Sequence, residues 1–172
     1  GMGADMANSF LVMSSKSAHA FTEPGDCSAV YYGNGDRKKA YLKEIRVKED
    51  SGILNVTRLP LTNTSPPDNA EVVQVLDSEP FIDGKLWTAE LQNLLARNKW
   101  TLDDVIGWAR IWSDSLIKKA GLDANATLSP ETEIDGALLD AIPKNLIIDK
   151  DAEGHFIDLE WRSTTPVTIG CV

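Results

Sequence analysis

The sequence predicts an α+β fold, with an antiparallel sheet in its first half and helices followed by a β-hairpin in its second half. Segments within the first 80 residues alternate apolar and polar side chains with the period of a strand, and residues 86–120 carry two helix-like apolar faces. Residues 146–148 and 156–157 then form two short strand-like runs around a polar turn. We therefore expect two parts, a β-rich part over residues 1–80 and a second part over residues 81–172.

Residues 39–47 form the clearest strand signal of the first part. The alternation places Tyr41, Ile45 and Val47 on one face, and Lys43 shares that face. A buried ammonium group is costly without an anion, so a ligand phosphate or a carboxylate is a reasonable partner for Lys43. The alternative is an edge strand whose two faces are both partly exposed to water. The alkyl chain of Lys43 would then lie along the strand, and its ammonium group would reach the solvent.

Shorter signals surround this strand. Residues 33–35, Gly-Asn-Gly, form either a loop that covers phosphates or a hairpin turn, and the Asn-Gly pair favours the turn. Residues 71–76 are typical of a strand. Residues 79–86 are then expected to link the two parts and to lead into the first helix.

Two helices are predicted after this link. The first covers residues 86–98, and the second is capped by Thr101 and stops at Gly121. The apolar face of the second helix is broad, which suggests contact with more than one neighbouring element. Core packing is the favoured use of the tryptophans, and a platform for stacking a sugar ring is the alternative for Trp87, Trp100 or Trp161.

The most informative spacing lies around the predicted hairpin. Asn145 enters its first strand and Asp158 leaves its second, so both side chains are expected at the same end of the ribbon. Asp140 lies in the preceding loop, close enough in sequence to complete a cluster of three oxygen ligands. Such ligands suit Mg2+, and phosphoryl transfer needs a metal ion and phosphates held in place. The alternative is a surface hairpin whose Asp and Asn side chains make turns and cap backbone groups.

Residues 138–160 resemble the catalytic and metal-binding loops of the protein kinase and aminoglycoside phosphotransferase superfamily. The resemblance implies that Asp140 is the catalytic Asp, that Asn145 and Asp158 bind the metal, and that Lys43 is the phosphate-binding lysine of a small lobe. Two leucines precede Asp140 where the family commonly has His-Arg or His-Gly, and Asp158 begins Asp-Leu-Glu instead of Asp-Phe-Gly. The ending is similar to that of the phosphotransferase branch, which often has Asp-x-Glu there. The resemblance implies a truncated kinase-like fold, in which an antiparallel-sheet small lobe precedes a helical partial large lobe, with Mg2+ and ATP as cofactors.

Residues 7–13 and 156–161 suggest a narrower relation. They resemble the region after the methyltransferase domain in bacterial proteins of surface-polysaccharide biosynthesis. The resemblance implies a phosphotransferase for a sugar or another small hydroxyl acceptor, with the other domains of a longer parent protein as partners. No glycine-rich nucleotide loop is evident, so any methyltransferase activity would belong to an upstream domain. The alternatives are a degenerate scaffold or glycan-binding domain of that protein, and an α+β domain of unrelated role.

Composition disfavours several other classes. The 26 acidic and 17 basic residues give a formal charge of −9 without a basic patch, which disfavours nucleic-acid binding. No stretch has the roughly 18–20 apolar residues that cross a bilayer and no signal peptide is evident, so we expect a cytoplasmic protein. Cys27, Cys171, His19 and His155 show no metal-site spacing, and free thiols are expected. At 172 residues the chain is short for a complete kinase-like fold, and we expect a fragment.

Overall fold

The computed structural model describes residues 27–32, 37–67 and 69–172. Within these residues the structure is mixed α and β, with antiparallel sheets and two α-helices, which confirms the coarse α+β prediction. The segment 7–13 and the candidate phosphate loop at 33–35 lie outside the described residues. No helix in the described part of the chain is both long enough and apolar enough to span a membrane.

The elements follow one another along the chain from Cys27 to the last residue. The strands are β1 Cys27–Tyr32, β2 Lys43–Asp50, β3 Ile53–Pro60, β4 Val72–Gln74, β5 Ser78–Pro80, β6 Gly84–Leu86, β7 Glu133–Ile134, β8 Leu146–Asp149, β9 Gly154–Phe156, β10 Trp161–Ser163 and β11 Val167–Thr168. The α-helices are α1 Trp87–Leu95 and α2 Leu102–Ala120. Short 3-10 turns cover Lys39–Tyr41, Gly136–Leu138, Pro143–Asn145 and Ile169–Cys171.

The described residues divide into two compact units. The first unit contains the described residues up to Asn63 together with Ser78–Phe81, and the second contains Thr64–Asp77 and Ile82–Val172 apart from position 68. The chain thus passes from one unit to the other after residues 63, 77 and 81. Residues 64–77, which the sequence analysis placed in the first part, belong to the second unit.

The first unit is a four-stranded antiparallel sheet in the order β1-β2-β3-β5. β2 and β3 pair along their whole length, and Ser51 and Gly52 connect them with φ angles of 53° and 83°. Two central residues with positive φ are typical of the tight turn whose twist matches that of the flanking strands. Glycine meets this demand without strain at the second position.

The strand predicted over residues 39–47 begins only at Lys43. The backbone N–H groups of Tyr41 and Leu42 donate to the carbonyl oxygens of Lys38 and Lys39, at 2.9 and 3.3 Å. These local bonds close a 3-10 turn, so the segment before Lys43 does not join the sheet. Apolar alternation did not reveal this, because it reports the polarity of side chains and not the partners of the backbone N–H groups.

Three small antiparallel sheets and two helices make up the second unit. β6, β8 and β9 form one sheet, β4 pairs with β10, and β7 pairs with β11. The predicted strand over residues 71–76 is confirmed in its centre, as β4. Most of the buried apolar residues form one cluster, to which α2, β7, the loop before β8 and the β8–β9 hairpin contribute: Leu116, Ile134, Leu138, Ala141, Leu146 and Phe156.

Helix α2 has the ends that the sequence predicts. The Thr101 hydroxyl accepts a hydrogen bond from the backbone N–H of Asp104, and the Asp104 carboxylate accepts one from the backbone N–H of Thr101 at 2.8 Å. This reciprocal capping box satisfies two N–H groups at the helix start. Gly121 ends the helix with a φ of 67°, the left-handed conformation that glycine adopts freely. Helix α1 is shorter than predicted and ends at Leu95.

The broad apolar face of α2 is only partly covered. The helix contacts more than one element, α1 and β9 among them, as its width suggested. Leu116 and Ile117 near its carboxyl end are buried, whereas Leu102, Ile106 and Ile111 are at least 40% exposed. The core therefore covers the carboxyl end of α2, and its first turns present apolar surface to solvent.

Candidate functional site

The loop that carries Asp140 is fixed by hydrogen bonds on both sides. Asp135 accepts from the backbone N–H of Ala137 at 2.8 Å and starts the turn that leads to it. Ala141 is fully buried, and its carbonyl oxygen accepts the ring N–H of Trp112 from α2 at 2.8 Å. A buried carbonyl must find a donor, so this bond holds the backbone beside Asp140 against the helix. Asp140 itself is half-buried.

Asn145 connects this loop to the hairpin. Pro143 opens a 3-10 turn, and the turn delivers Asn145 to the start of β8. The Nδ2 group of Asn145 donates to the backbone carbonyl of Asp140 at 2.9 Å. The backbone carbonyl of Asn145 accepts the N–H of Ile157, the residue before Asp158, at 2.8 Å. Asn145 thus bonds both to Asp140 and to the neighbour of Asp158.

Asp158 has an unusual backbone conformation. Its φ angle of 54° lies in the left-handed region, where few residues other than glycine are found, although Asp and Asn tolerate it best. Its carbonyl accepts the N–H of Glu160 at 2.7 Å. The Glu160 side chain is 3% exposed and accepts from Gln74 Nε2 at 2.9 Å, and its backbone carbonyl accepts from Val75 at 2.8 Å. Glu160 therefore anchors the chain just after Asp158 against β4.

The hydrogen bonds place the three predicted residues in one neighbourhood of the second unit. The link runs from Asp140 through Asn145 to Ile157 and on to Asp158. Because Nδ2 of Asn145 is directed at Asp140, its Oδ1 atom is the one suited to a cation. Two carboxylates and an amide oxygen are the donor types that Mg2+ takes in proteins. The donor set therefore fits this ion chemically.

Lys43 lies in the first unit. Its side chain is 4% exposed at the start of β2, opposite Pro60. The direct pairing of Ile45 with Arg58 puts Lys43 and Arg58 on one face of the sheet, and Arg58 is likewise buried. Arg58 forms an ion pair with Glu79 on β5 at 2.5 Å. Sequence reasoning missed Arg58, although its alternation with Val56 and Pro60 could have shown a second inward basic residue.

A second cluster of polar side chains lies at the β8–β9 turn, where no metal cluster was expected from the sequence. Ligand-type atoms of Asp149, Glu153 and His155 all lie within 4.8 Å of one another. The Asp149 carboxylate accepts from the backbone N–H groups of Glu153 and Asp151, each at 2.9 Å, and lies 2.8 Å from His155 Nε2. These hydrogen bonds lower the pKa of the Asp149 carboxylate, and the bond from the Glu153 backbone has the largest effect. Lys118 forms an ion pair with Glu153 and lowers its pKa.

In this cluster the Asp149 side chain stabilises a turn, which is the alternative that the sequence left open for the Asp and Asn residues of the hairpin. Its hydrogen bonds close the turn between the two strands. Sequence reasoning missed the grouping because it looked for His and Cys at metal-site spacings. Ile147 pairs with His155 across the two strands, and this pairing brings the His155 side chain close to Asp149.

Comparisons with protein-family models, with curated proteins and with solved structures find no match to this chain.

Proposed function

We propose that the chain is a kinase-like phosphotransferase module that transfers a phosphoryl group from Mg-ATP to a sugar or another small hydroxyl acceptor. The observation that supports the proposal best is the pair of hydrogen bonds by which Asn145 joins Asp140 to the strand end before Asp158. Catalysis of phosphoryl transfer is mainly positioning and charge stabilisation, and it needs such oxygen ligands held in place.

Each residue has a distinct role in this proposal. Asn145 Oδ1 and the Asp158 carboxylate would hold Mg2+, and the left-handed backbone at Asp158 would fix the direction of its carboxylate. Asp140 would orient the acceptor hydroxyl and take its proton. Lys43, in the first unit, would bind nucleotide phosphates. A bound magnesium–nucleotide complex would supply the phosphoryl group itself.

The biological setting is part of the same proposal. Within a longer parent protein of surface-polysaccharide biosynthesis, the acceptor would be a glycan end, and a separate domain would supply methyl transfer. The short apolar–acidic ending from Ile157 to Glu160 supports a small-molecule acceptor by resemblance only. Glu160 is buried, so its role would be to position Asp158 and not to bind the acceptor.

Isothermal titration with ATP, with and without Mg2+, tests the proposal. We expect Mg2+-dependent binding by the unchanged chain and an affinity at least about tenfold lower for Asp158→Asn, because a metal ligand loses its charge. Asparagine tolerates left-handed φ, so this variant keeps the backbone. Asp151→Asn, at an exposed turn position, is the matched control and should bind as the unchanged chain does.

Two results would overturn the proposal. One is the absence of Mg2+-dependent ATP binding by the unchanged chain, which would favour a non-catalytic scaffold. The other is equal affinity for ATP in the unchanged chain and in Asp158→Asn.

A further inference from the structure

A cleft of about 200 Å3 lies between α1 and α2, and two tryptophans contribute to its wall. Trp87 opens α1 and Trp108 lies in the middle of α2, and their rings are parallel within 2° with centroids 6.4 Å apart. The ring N–H of Trp87 donates to the backbone carbonyl of Trp108 at 3.1 Å, and that of Trp108 donates to the carbonyl of Trp87 at 2.9 Å. The polar atoms of both rings are thus satisfied, and both rings are fixed beside the cleft.

Gly107 lines the same cleft in the interior of α2. Glycine in a helix interior lowers stability relative to alanine, because the unfolded chain has more freedom to lose. A Cβ atom at position 107 would meet no atom within 4 Å, so packing within the chain does not require glycine there. The missing side chain keeps this part of the cleft open.

The rim of the cleft carries charges of both signs. Glu90, Arg97 and Asp104 contribute to its lining, together with the apolar Leu94 and Ile111. Carboxylates accept hydrogen bonds and a guanidinium donates them, so the rim offers both functions. Charges of mixed sign around an apolar wall do not select an ion of one charge. They suit a neutral molecule that has hydroxyl groups at its edge and an apolar face.

We propose that the cleft between α1 and α2 is a carbohydrate-binding subsite for a single sugar residue. The C–H face of a pyranose ring would pack on the indole surfaces. Its hydroxyls would bond to Glu90, to Arg97 and to the Oδ1 atom of Asp104, whose Oδ2 atom accepts from Thr101. Sites for drug-sized ligands have roughly 300–1,000 Å3, so a cleft of about 200 Å3 limits the occupant to one small ring. The inference uses none of the residues assigned to nucleotide or metal binding, and it stands without them.

Saturation-transfer NMR of the full chain with neutral monosaccharides tests this inference. The probes are D-mannose, D-galactose, L-rhamnose and N-acetyl-D-glucosamine, each at millimolar concentration. The variant is Gly107→Leu, which fills the cleft without a clash at Cβ and raises helix propensity. Arg110→Leu places the same side chain at an exposed position of α2 that does not line the cleft, and it is the matched control.

We expect transfer to at least one sugar for the unchanged chain and for Arg110→Leu, and at least about tenfold weaker binding for Gly107→Leu. Circular dichroism should show that both variants are folded. Absence of transfer to all four sugars, or equal binding by Gly107→Leu, would overturn the inference.

An ATP titration of the same variants separates this result from the proposed function. Gly107→Leu should bind Mg-ATP as the unchanged chain does. Sugar binding without ATP binding would contradict the phosphotransferase proposal and leave the carbohydrate subsite standing. ATP binding without sugar binding would contradict only the carbohydrate subsite.

Discussion

At the scale of a single residue, the Asn145 side chain links the start of β8 to the loop that carries Asp140. Its amide has a donor end and an acceptor end, and the donor end is used by the Asp140 carbonyl. The position of Oδ1 is then set by a bond to the very loop that carries Asp140. An aspartate at this position would lack the donor and would face the carbonyl oxygen with negative charge.

Asp149 gives a prediction about pH at the same scale. Its pKa is lowered below the ordinary value of 3.8 by the hydrogen bonds from the Glu153 backbone, from His155 and from the Asp151 backbone. A lowered folded pKa adds stability that is fully present above 3.8 and is lost as the pH falls through the folded value. Asp149→Asn should therefore lower the Tm at neutral pH, and its difference from the unchanged chain should shrink below 3.8.

Thermal unfolding followed by circular dichroism, as a function of pH, measures this difference. Asp151→Asn is the control, because its side chain is exposed in the same turn. A Tm difference for Asp149→Asn that stays constant into acid would show that the carboxylate charge does not matter to the turn.

Single residues were predictable from sequence where their chemistry is local. The neighbourhood of Asp140 and Asn145 follows from a spacing of five residues and a short turn. The burial of Glu160 could not be predicted in this way, because its hydrogen-bond partner Gln74 lies 86 residues away in the chain. Inward Lys43 was indicated by alternation, but no spacing in the sequence relates it to Asp158.

At the scale of an element, the ends of helix α2 contribute to its stability. The capping box of Thr101 and Asp104 satisfies N–H groups that have no partner within the helix. Thr101→Ala should therefore destabilise the protein by about 1 kcal/mol, and Thr101→Ser should restore most of the loss because it keeps the hydroxyl. Urea unfolding followed by tryptophan fluorescence measures both variants. Equal stability of Thr101→Ala and the unchanged chain would mean that the first turn of α2 contributes nothing to the unfolding equilibrium.

The same element shows why the two ends of α2 were predictable and most strand ends were not. A cap is encoded within four residues, so Thr101 and Gly121 could be read from the sequence. A strand ends where its partner ends, and the partner of β4 is β10, which begins 87 residues after Gln74 at Trp161. The exposure of Leu102 and Ile106 could not be predicted either, because an apolar pattern along a helix does not show which of its residues other elements will cover.

The distribution of apolar burial over the whole molecule is uneven. Among the described residues, every fully buried apolar side chain lies in the second unit, and the buried side chains of the first unit are Lys43 and Arg58. Burial of apolar surface is the main source of stability. We therefore expect the first unit to be the less stable of the two.

The chain itself provides separate probes for the two units. All five tryptophans, at positions 87, 100, 108, 112 and 161, belong to the second unit. All three tyrosines, at positions 31, 32 and 41, belong to the first. Urea unfolding can thus be followed by tryptophan fluorescence for one unit and by 19F NMR of fluorotyrosine for the other.

Leu146→Ala tests the division directly. Leu146 is fully buried in the second unit, and its removal leaves a cavity, so the tryptophan-detected transition should lose about 2–5 kcal/mol. The tyrosine-detected transition should come at lower urea than the tryptophan-detected one in the unchanged chain, and Leu146→Ala should move it less. Ile53→Ala, at a position 58% exposed in the first unit, is the control and should leave the tryptophan transition in place. Coincident transitions that shift together in Leu146→Ala would mean that the two units unfold as one cooperative body.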